Sequence, residues 1–131
     1  MGTYKTGDGQ TEISLSVDIN TLGLAASRAI VLLISDPSSA KAVAHSENAT
    51  GDIAKKIIGT SNGLQNRRLS ILTKVDLLDS DLEQRKAQYN NITANYVLSG
   101  GTDGSVTFNT PLKSVDAKYK TALIHQPIDL I

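Results

Sequence analysis

Several residue types are missing or scarce in this chain of 131 residues, and each absence excludes a class of protein. There is no cysteine, which excludes a disulfide framework, a thiolate zinc site and a cysteine nucleophile. Aromatic residues make up 4% of the chain and tryptophan is absent. That scarcity argues against the stacked aromatic platforms that bind sugars or single-stranded nucleic acid. Lys plus Arg and Asp plus Glu number 13 each, so no excess of positive charge indicates a nucleic-acid partner.

Long hydrophobic runs are also absent. The longest is Ala29–Ile34, which is too short to cross a membrane. Residues 1–10 are polar and glycine-rich, and without an apolar stretch they do not resemble a signal peptide. We expect a flexible segment over 1–10 and a single domain over 11–131, since the length suits one domain. The compartment is left open, with the cytoplasm or an assembled particle as the default.

What the chain does have is strict alternation of apolar and polar residues. A period of two places alternate side chains on opposite faces of a strand, so one face is buried and the other is wet. The clearest stretch is 12–20, and a second, whose apolar set is broken by Thr73, is 68–77. Their apolar members are Ile13, Leu15, Val17, Ile19, Leu69, Ile71, Val75 and Leu77.

The remaining segments extend this pattern. We predict a hairpin over 28–46 with its turn at 36–39, and further strands over 91–98, 105–109 and 119–126. Pro127 is expected to end the last of these strands. Ile92, Ala94, Tyr96 and Leu98 share the predicted inner face of strand 91–98.

Turn signals between these short strands are typical of an all-β fold. We predict a two-layer antiparallel β-sandwich, Ig-like or jelly-roll-like, with one short helix or turn near 80–88. Ser80 and Glu83 have the spacing of a capping box for that helix. Leu22 and Leu24 are expected to lie in the core. The alternative is an α+β fold in which residues 22–34 form a buried helix.

No catalytic, metal or cofactor site emerges from the motifs. His45 and His125 are the only histidines, and no nucleophile motif accompanies them, so ordinary strand positions are the better interpretation. Asp76, Asp79, Asp81 and Glu83 are close in sequence, but the glycine and the final ligand of a calcium loop are missing. We therefore predict no metal, no cofactor and no enzymatic activity.

Residues 29–34 are apolar on both faces of a strand, and residues 128–131 add more apolar surface. Either a covering segment of the same chain or another subunit must shield this surface, because large bare apolar patches are rare on monomers. Both alternatives stay open. The predicted interface residues are Ile30, Leu32, Ile34, Ile128, Leu130 and Ile131.

These features predict a non-enzymatic, self-associating structural or assembly subunit. Its partner is a second copy of the chain, with room for another protein as well, but not a nucleic acid. The alternative is a small monomeric binding module that recognises a protein or ligand through the loops at 47–52, 60–66 and 99–104.

Overall fold

The computed structural model describes residues 2–131 and shows an all-β fold. Strands account for 61% of the chain and helices for 10%, which confirms the predicted fold class. The alternative with a buried helix at 22–34 is wrong, because residues 24–33 form a strand whose side chains alternate between buried and exposed. The strands are β1 Gly2–Tyr4, β2 Glu12–Asn20, β3 Leu24–Leu33, β4 Asp36–His45, β5 Ile53–Thr60, β6 Arg67–Asp76, β7 Thr93–Gly101, β8 Gly104–Phe108, β9 Leu112–Val115 and β10 Thr121–Leu130, and the helices are α1 Ser61–Leu64 and α2 Leu82–Asn90.

The strands form two sheets. Sheet A has the order β1-β10-β6-β3-β4, and β9 also pairs with β10. Sheet B has the order β5-β2-β7-β8. Neighbouring strands run antiparallel, except that β1 runs parallel to β10.

Pro127 lies inside β10 and does not end it, contrary to the sequence prediction. Odd-numbered residues of β10 direct their backbone groups away from β6, since Thr121 O accepts from Asp116 N and Ile131 N donates to Tyr4 O. Along that edge β9 pairs only as far as His125, and β1 pairs only from Ile128. The Pro127 nitrogen therefore faces a break between partner strands, where a missing amide hydrogen costs no ladder bond.

The core lies between the two sheets, and the alternating segments supply it as predicted. Ile13, Leu15, Val17 and Ile19 of β2 are buried, as are Ile92, Ala94, Tyr96 and Leu98 in and beside β7. From sheet A the inward residues include Leu69, Ile71 and Val75 of β6, and Ala122, Ile124, Ile128 and Leu130 of β10.

One polar cluster interrupts this apolar core. Ser27 Oγ and Thr73 Oγ1 lie 2.7 Å apart on neighbouring strands of sheet A. The Tyr96 hydroxyl comes from sheet B, is fully buried and has no hydrogen-bond partner among the described residues. Burial raises the pKa of Tyr96 to about 12, and Thr73 opposes that shift weakly. The phenol is therefore held in its neutral form.

The β3–β4 turn and the N-terminal cap of helix α2 differ from the sequence prediction. The β3–β4 turn falls at Ile34 and Ser35, so Asp36 and the following residues belong to β4. Helix α2 is present, but its N-cap is Asp81 and no side chain caps it, so the capping box is wrong.

Leu22 and Leu24 are exposed and lie outside the core, contrary to the sequence prediction.

The sequence predicts a flexible segment over 1–10, whereas the structure places Gly2–Tyr4 in β1. Tyr4 is buried, and its hydroxyl donates to Gly104 O at 2.6 Å and accepts from Gly101 N at 2.8 Å. The partner strand β10 lies at the other end of the chain, so no local pattern could indicate this pairing.

Candidate self-association face

The candidate site is the side of sheet A that points away from sheet B, here called face A. Its side chains alternate with the buried ones in each strand, so they are set by the same period of two. The corresponding side of sheet B is called face B. The outward residues of face A are Leu24, Ala26, Arg28, Ile30 and Leu32 of β3, Arg68, Ser70, Leu72, Lys74 and Asp76 of β6, Leu112 and Ser114 of β9, and Leu123, His125, Pro127 and Asp129 of β10.

The strand register brings the apolar members of face A together. Ser70 of the central strand β6 lies directly between Pro127 and Ile30. In the next row Leu72 lies between His125 and Arg28. Ile30 and Pro127 each lie diagonal to Leu72, at the distance of about 7–8 Å that such pairs have, and Ser70 separates them from each other. Ile30, Leu72 and Pro127 are called the apolar centre of face A, in which Ile30 and Leu72 are half-buried and Pro127 is buried.

Exposed apolar side chains lie elsewhere on the same face: Leu123 is a diagonal neighbour of Leu72, Leu112 lies beside His125, and Leu24 lies three rows from Ile30. Leu112 is 63% exposed and Leu123 is 50% exposed, and Leu24 is also exposed near the start of β3. Among residues 2–131, Ile57 is the one large hydrophobic residue on the strands of sheet B that is well exposed, at 53%. Excess apolar surface is therefore concentrated on face A.

The polar groups of face A are largely satisfied within the sheet. Arg68 Nε donates to Asp129 Oδ1 at 2.7 Å, which pairs the two charges across neighbouring strands. Ser70 Oγ and His125 Nε2 lie 2.6 Å apart, and Ser70 is only 8% exposed. Burial lowers the pKa of His125, and the positive charge of Arg68 lowers it further. His125 is consequently neutral near pH 7.

The predicted interface residues separate into two groups. Ile30 and Leu32 lie on face A, and Ile34 is exposed in the turn beside it. Ile128 and Leu130 have no exposed surface and pack inside the chain, so they are corrected to core residues. They are buried because β10 continues through Pro127 and carries the end of the chain into sheet A. Ile131 is exposed, and its backbone bonds to Tyr4 and Thr6.

Sequence reasoning missed Leu72, Leu112 and Leu123 as members of face A. Leu72 and Leu123 are apolar residues at positions where the alternation of their strands predicts polar ones. That departure from the pattern is visible in the sequence and indicates apolar surface on the outer side. Leu112 lies in β9, a strand that the sequence pattern did not reveal.

The other candidate residues lie apart from one another. His45 lies opposite Arg28 at the β4 edge, and Leu72 and Arg28 separate it from His125. Asp79 Oδ1 accepts the Asp81 amide at 2.9 Å, which makes this acidic stretch a turn. Within residues 2–131 no three His, Asp or Glu side chains are grouped so that they could hold a metal ion.

The three loops of the binding-module alternative lie at two ends of the sandwich. Segments 60–66 and 99–104 meet at one end, where Ser61 and Gly101 line the same hollow with Thr6 and Gly9. Loop 47–52 is anchored at the opposite end of β2, where Asp52 Oδ1 accepts from Ile19 N at 2.8 Å.

Comparison with protein-family models, with curated proteins and with solved structures found no match. No helix within residues 2–131 is long and apolar enough to cross a membrane. The function is therefore inferred from the geometry and chemistry of face A.

Proposed function

We propose that the protein is a non-enzymatic structural or assembly subunit that associates with copies of itself through face A. The observation that carries this proposal is the set of apolar side chains that face A leaves partly or fully exposed: the half-buried Ile30 and Leu72, and the exposed Leu112 and Leu123. Inner apolar residues are already covered by sheet B, so the fold itself does not require apolar residues here. Contiguous exposed apolar surface of this kind is typical of protein–protein contacts.

The size of face A suits a stable interface. Five strands side by side at about 4.8 Å span about 24 Å. Strands β3, β6 and β10 have 10 residues each, which at about 3.3 Å per residue is about 33 Å. The product is about 800 Å² per partner, the area that a standard specific interface buries on each side.

A second copy is the occupant that fits this surface. Two sheets pack face to face when both present apolar side chains, and a two-fold axis lets one apolar patch cover its own equivalent. The Arg68–Asp129 pair is neutralised within the chain, so face A does not need a partner of opposite charge. The simplest assembly is a dimer, and larger assemblies would use additional surfaces.

A monomeric binding module is the second candidate. In its favour, segments 60–66 and 99–104 do meet around a shared hollow. Loop 47–52 lies at the far end of β2, so the three loops do not form one recognition surface. The binding module would also leave the apolar residues of face A without a role.

The test places a charge on each face at matched exposure. Leu123→Asp changes face A, and Ile57→Asp changes sheet B at nearly equal exposure. We expect wild type and Ile57→Asp to sediment as an oligomer at high micromolar concentration and Leu123→Asp to sediment as a monomer. All three proteins should keep the same β-type circular dichroism spectrum.

Two outcomes would contradict the proposal. A monomeric wild type at high micromolar concentration would favour the binding module. An oligomer that survives Leu123→Asp and dissociates with Ile57→Asp would move the interface to sheet B.

A further inference from the structure

We propose that His125 makes this association dependent on pH, so that face A joins a second copy when His125 is neutral and releases it when His125 is protonated. The inference rests on the proposed function and concerns its regulation. It starts from the position of His125 within the apolar part of face A.

His125 lies in a cross-strand row between Leu112 of β9 and Leu72 of β6. Its Nε2 atom lies 2.6 Å from Ser70 Oγ, a partner that is itself nearly buried. A second copy packed on face A would cover the remaining surface of the ring. Burying a neutral imidazole with one hydrogen bond costs little, whereas burying a charged one without a counter-ion is costly.

The charges that share face A with His125 are mostly positive. Strand β6 contributes Arg68, Lys74 and Asp76, and β3 contributes Arg28, next to Leu72 in the His125 row. On β10 itself Asp129 is engaged by Arg68 at 2.7 Å. The other strands next to β10, within residues 2–131, bring no charge to face A. Strand β9 presents Leu112 and Ser114, and β1 presents Thr3 opposite Asp129. At the far edge, β4 adds His45 opposite Arg28.

Within residues 2–131, Asp129 is engaged by Arg68 and Asp76 lies two rows from His125 along β6. Protonation of His125 therefore adds positive charge to a face on which three cations already outnumber two carboxylates. In a two-fold assembly each copy contributes one His125, so this charge is introduced twice. Like charges across an interface weaken association.

The direction of the pH effect follows from linkage. Burial and Arg68 already lower the pKa of His125 in the single chain, and further burial by a partner lowers it again. The assembly then binds fewer protons than its separated subunits, so association is strongest at higher pH. It weakens as the pH falls through the pKa of the separated subunit, below the ordinary histidine value of about 6.5.

The experiment measures the dissociation constant of the full chain by sedimentation equilibrium at about pH 7.5 and about pH 5, on either side of the histidine range. We expect the constant of the wild type to rise at least about tenfold at the lower pH. His125→Gln keeps a hydrogen-bonding side chain that does not titrate here, and its constant should be the same at both values. His45→Gln, the matched control at the sheet edge, should keep the pH dependence of the wild type. Circular dichroism at the lower pH should show the folded β spectrum.

A wild type that associates equally at both values, or a His125→Gln variant that keeps the full dependence, would overturn the inference and leave the proposed function standing. Loss of the dependence in His45→Gln, or unfolding of the wild type at the lower pH, would overturn it as well. A wild type that is monomeric at the higher pH would remove the proposed function and the inference together. If His125→Gln does not fold, the proton resonances of His125 in the wild type decide: its titration midpoint should fall as protein concentration rises, and a midpoint independent of concentration would overturn the inference.

Discussion

The outer faces of the two sheets differ in composition although both sheets cover the same core. Face B is mostly polar along its central strands, where Ser14, Ser16 and Asp18 of β2 lie opposite Ser99, the half-buried Val97 and Asn95 of β7. Face A carries Ile30, Leu72, Leu112, Leu123 and Pro127 at equivalent outward positions. The inner faces already supply the apolar burial that folding needs, and the proposed interface would give the apolar residues of face A a role.

This difference arises strand by strand. In β2 the polar phase is uninterrupted, so its outer side can only be solvated. In β3 the outer phase consists of Leu24, Ala26, Arg28, Ile30 and Leu32, so Arg28 is its single polar member. A sandwich can tolerate either pattern, since stability depends mainly on the inner phase. The proposed interface is therefore an inference from the outer phase, which folding does not constrain.

The largest effect should come from a charge placed on the buried side of sheet A. Leu130→Asp places a charge at a fully buried position, and an unpaired buried charge should unfold the chain. Leu32→Lys places a charge on face A, where the long side chain can reach water, and should leave the monomer folded but weaken self-association. Circular dichroism with sedimentation velocity checks both variants. A folded Leu130→Asp variant, or an unfolded Leu32→Lys variant, would show that the two sides have been assigned in reverse.

A smaller effect should distinguish two outward-facing serines. Ser70 on face A is nearly buried and bonded to His125 at 2.6 Å, so Ser70→Ala should cost about 1 kcal/mol of unfolding free energy. The alternation over 68–77 by itself predicts that Ser70 lies on a wet face, whereas the structure buries it.

Ser16 on face B lies opposite Val97 and is the matched control. Ser16→Ala should change the unfolding free energy by less than about 0.5 kcal/mol. Urea denaturation of both variants below the concentration of self-association gives the comparison. Equal losses at the two positions would mean that face A is no more enclosed than face B.

The smallest effect concerns the core that the two faces share. Tyr96→Phe removes a buried hydroxyl that has no hydrogen-bond partner of good geometry among residues 2–131, although Thr73 lies close enough to lower its pKa. The unfolding free energy should therefore change by less than about 0.5 kcal/mol or rise slightly. The pKa of Tyr96 is raised to about 12, which means that the folded state retains a proton that the unfolded state loses above about pH 10. This contribution to stability is present at lower pH and is lost as the pH rises through that interval. A loss of more than about 1 kcal/mol in Tyr96→Phe at neutral pH would instead reveal a satisfied hydroxyl.

The sequence predicted the core better than it predicted the candidate site. Alternation identified Leu15 and Ile71 correctly, because burial on one face of a strand leaves a period of two in the chain itself. Among the predicted interface residues, Ile30 and Leu32 lie on face A in the structure, whereas Ile128 and Leu130 lie in the core. The sequence pattern of an apolar residue near a terminus is the same whether the residue lies on the inner or the outer side of a sheet.

Local physical chemistry by itself determined that this chain forms strands, where most of them lie, and which face of β2, β6 and β7 is buried. Only the tertiary structure decided that β10 continues through Pro127, because the proline nitrogen faces the break between β9 and β1. The pairing of Gly2–Tyr4 with the end of the chain and the register that brings Ile30, Ser70 and Pro127 into one row were decided at the same level. These features depend on contacts between residues far apart in sequence, and side-chain periodicity carries no information about which strands become neighbours.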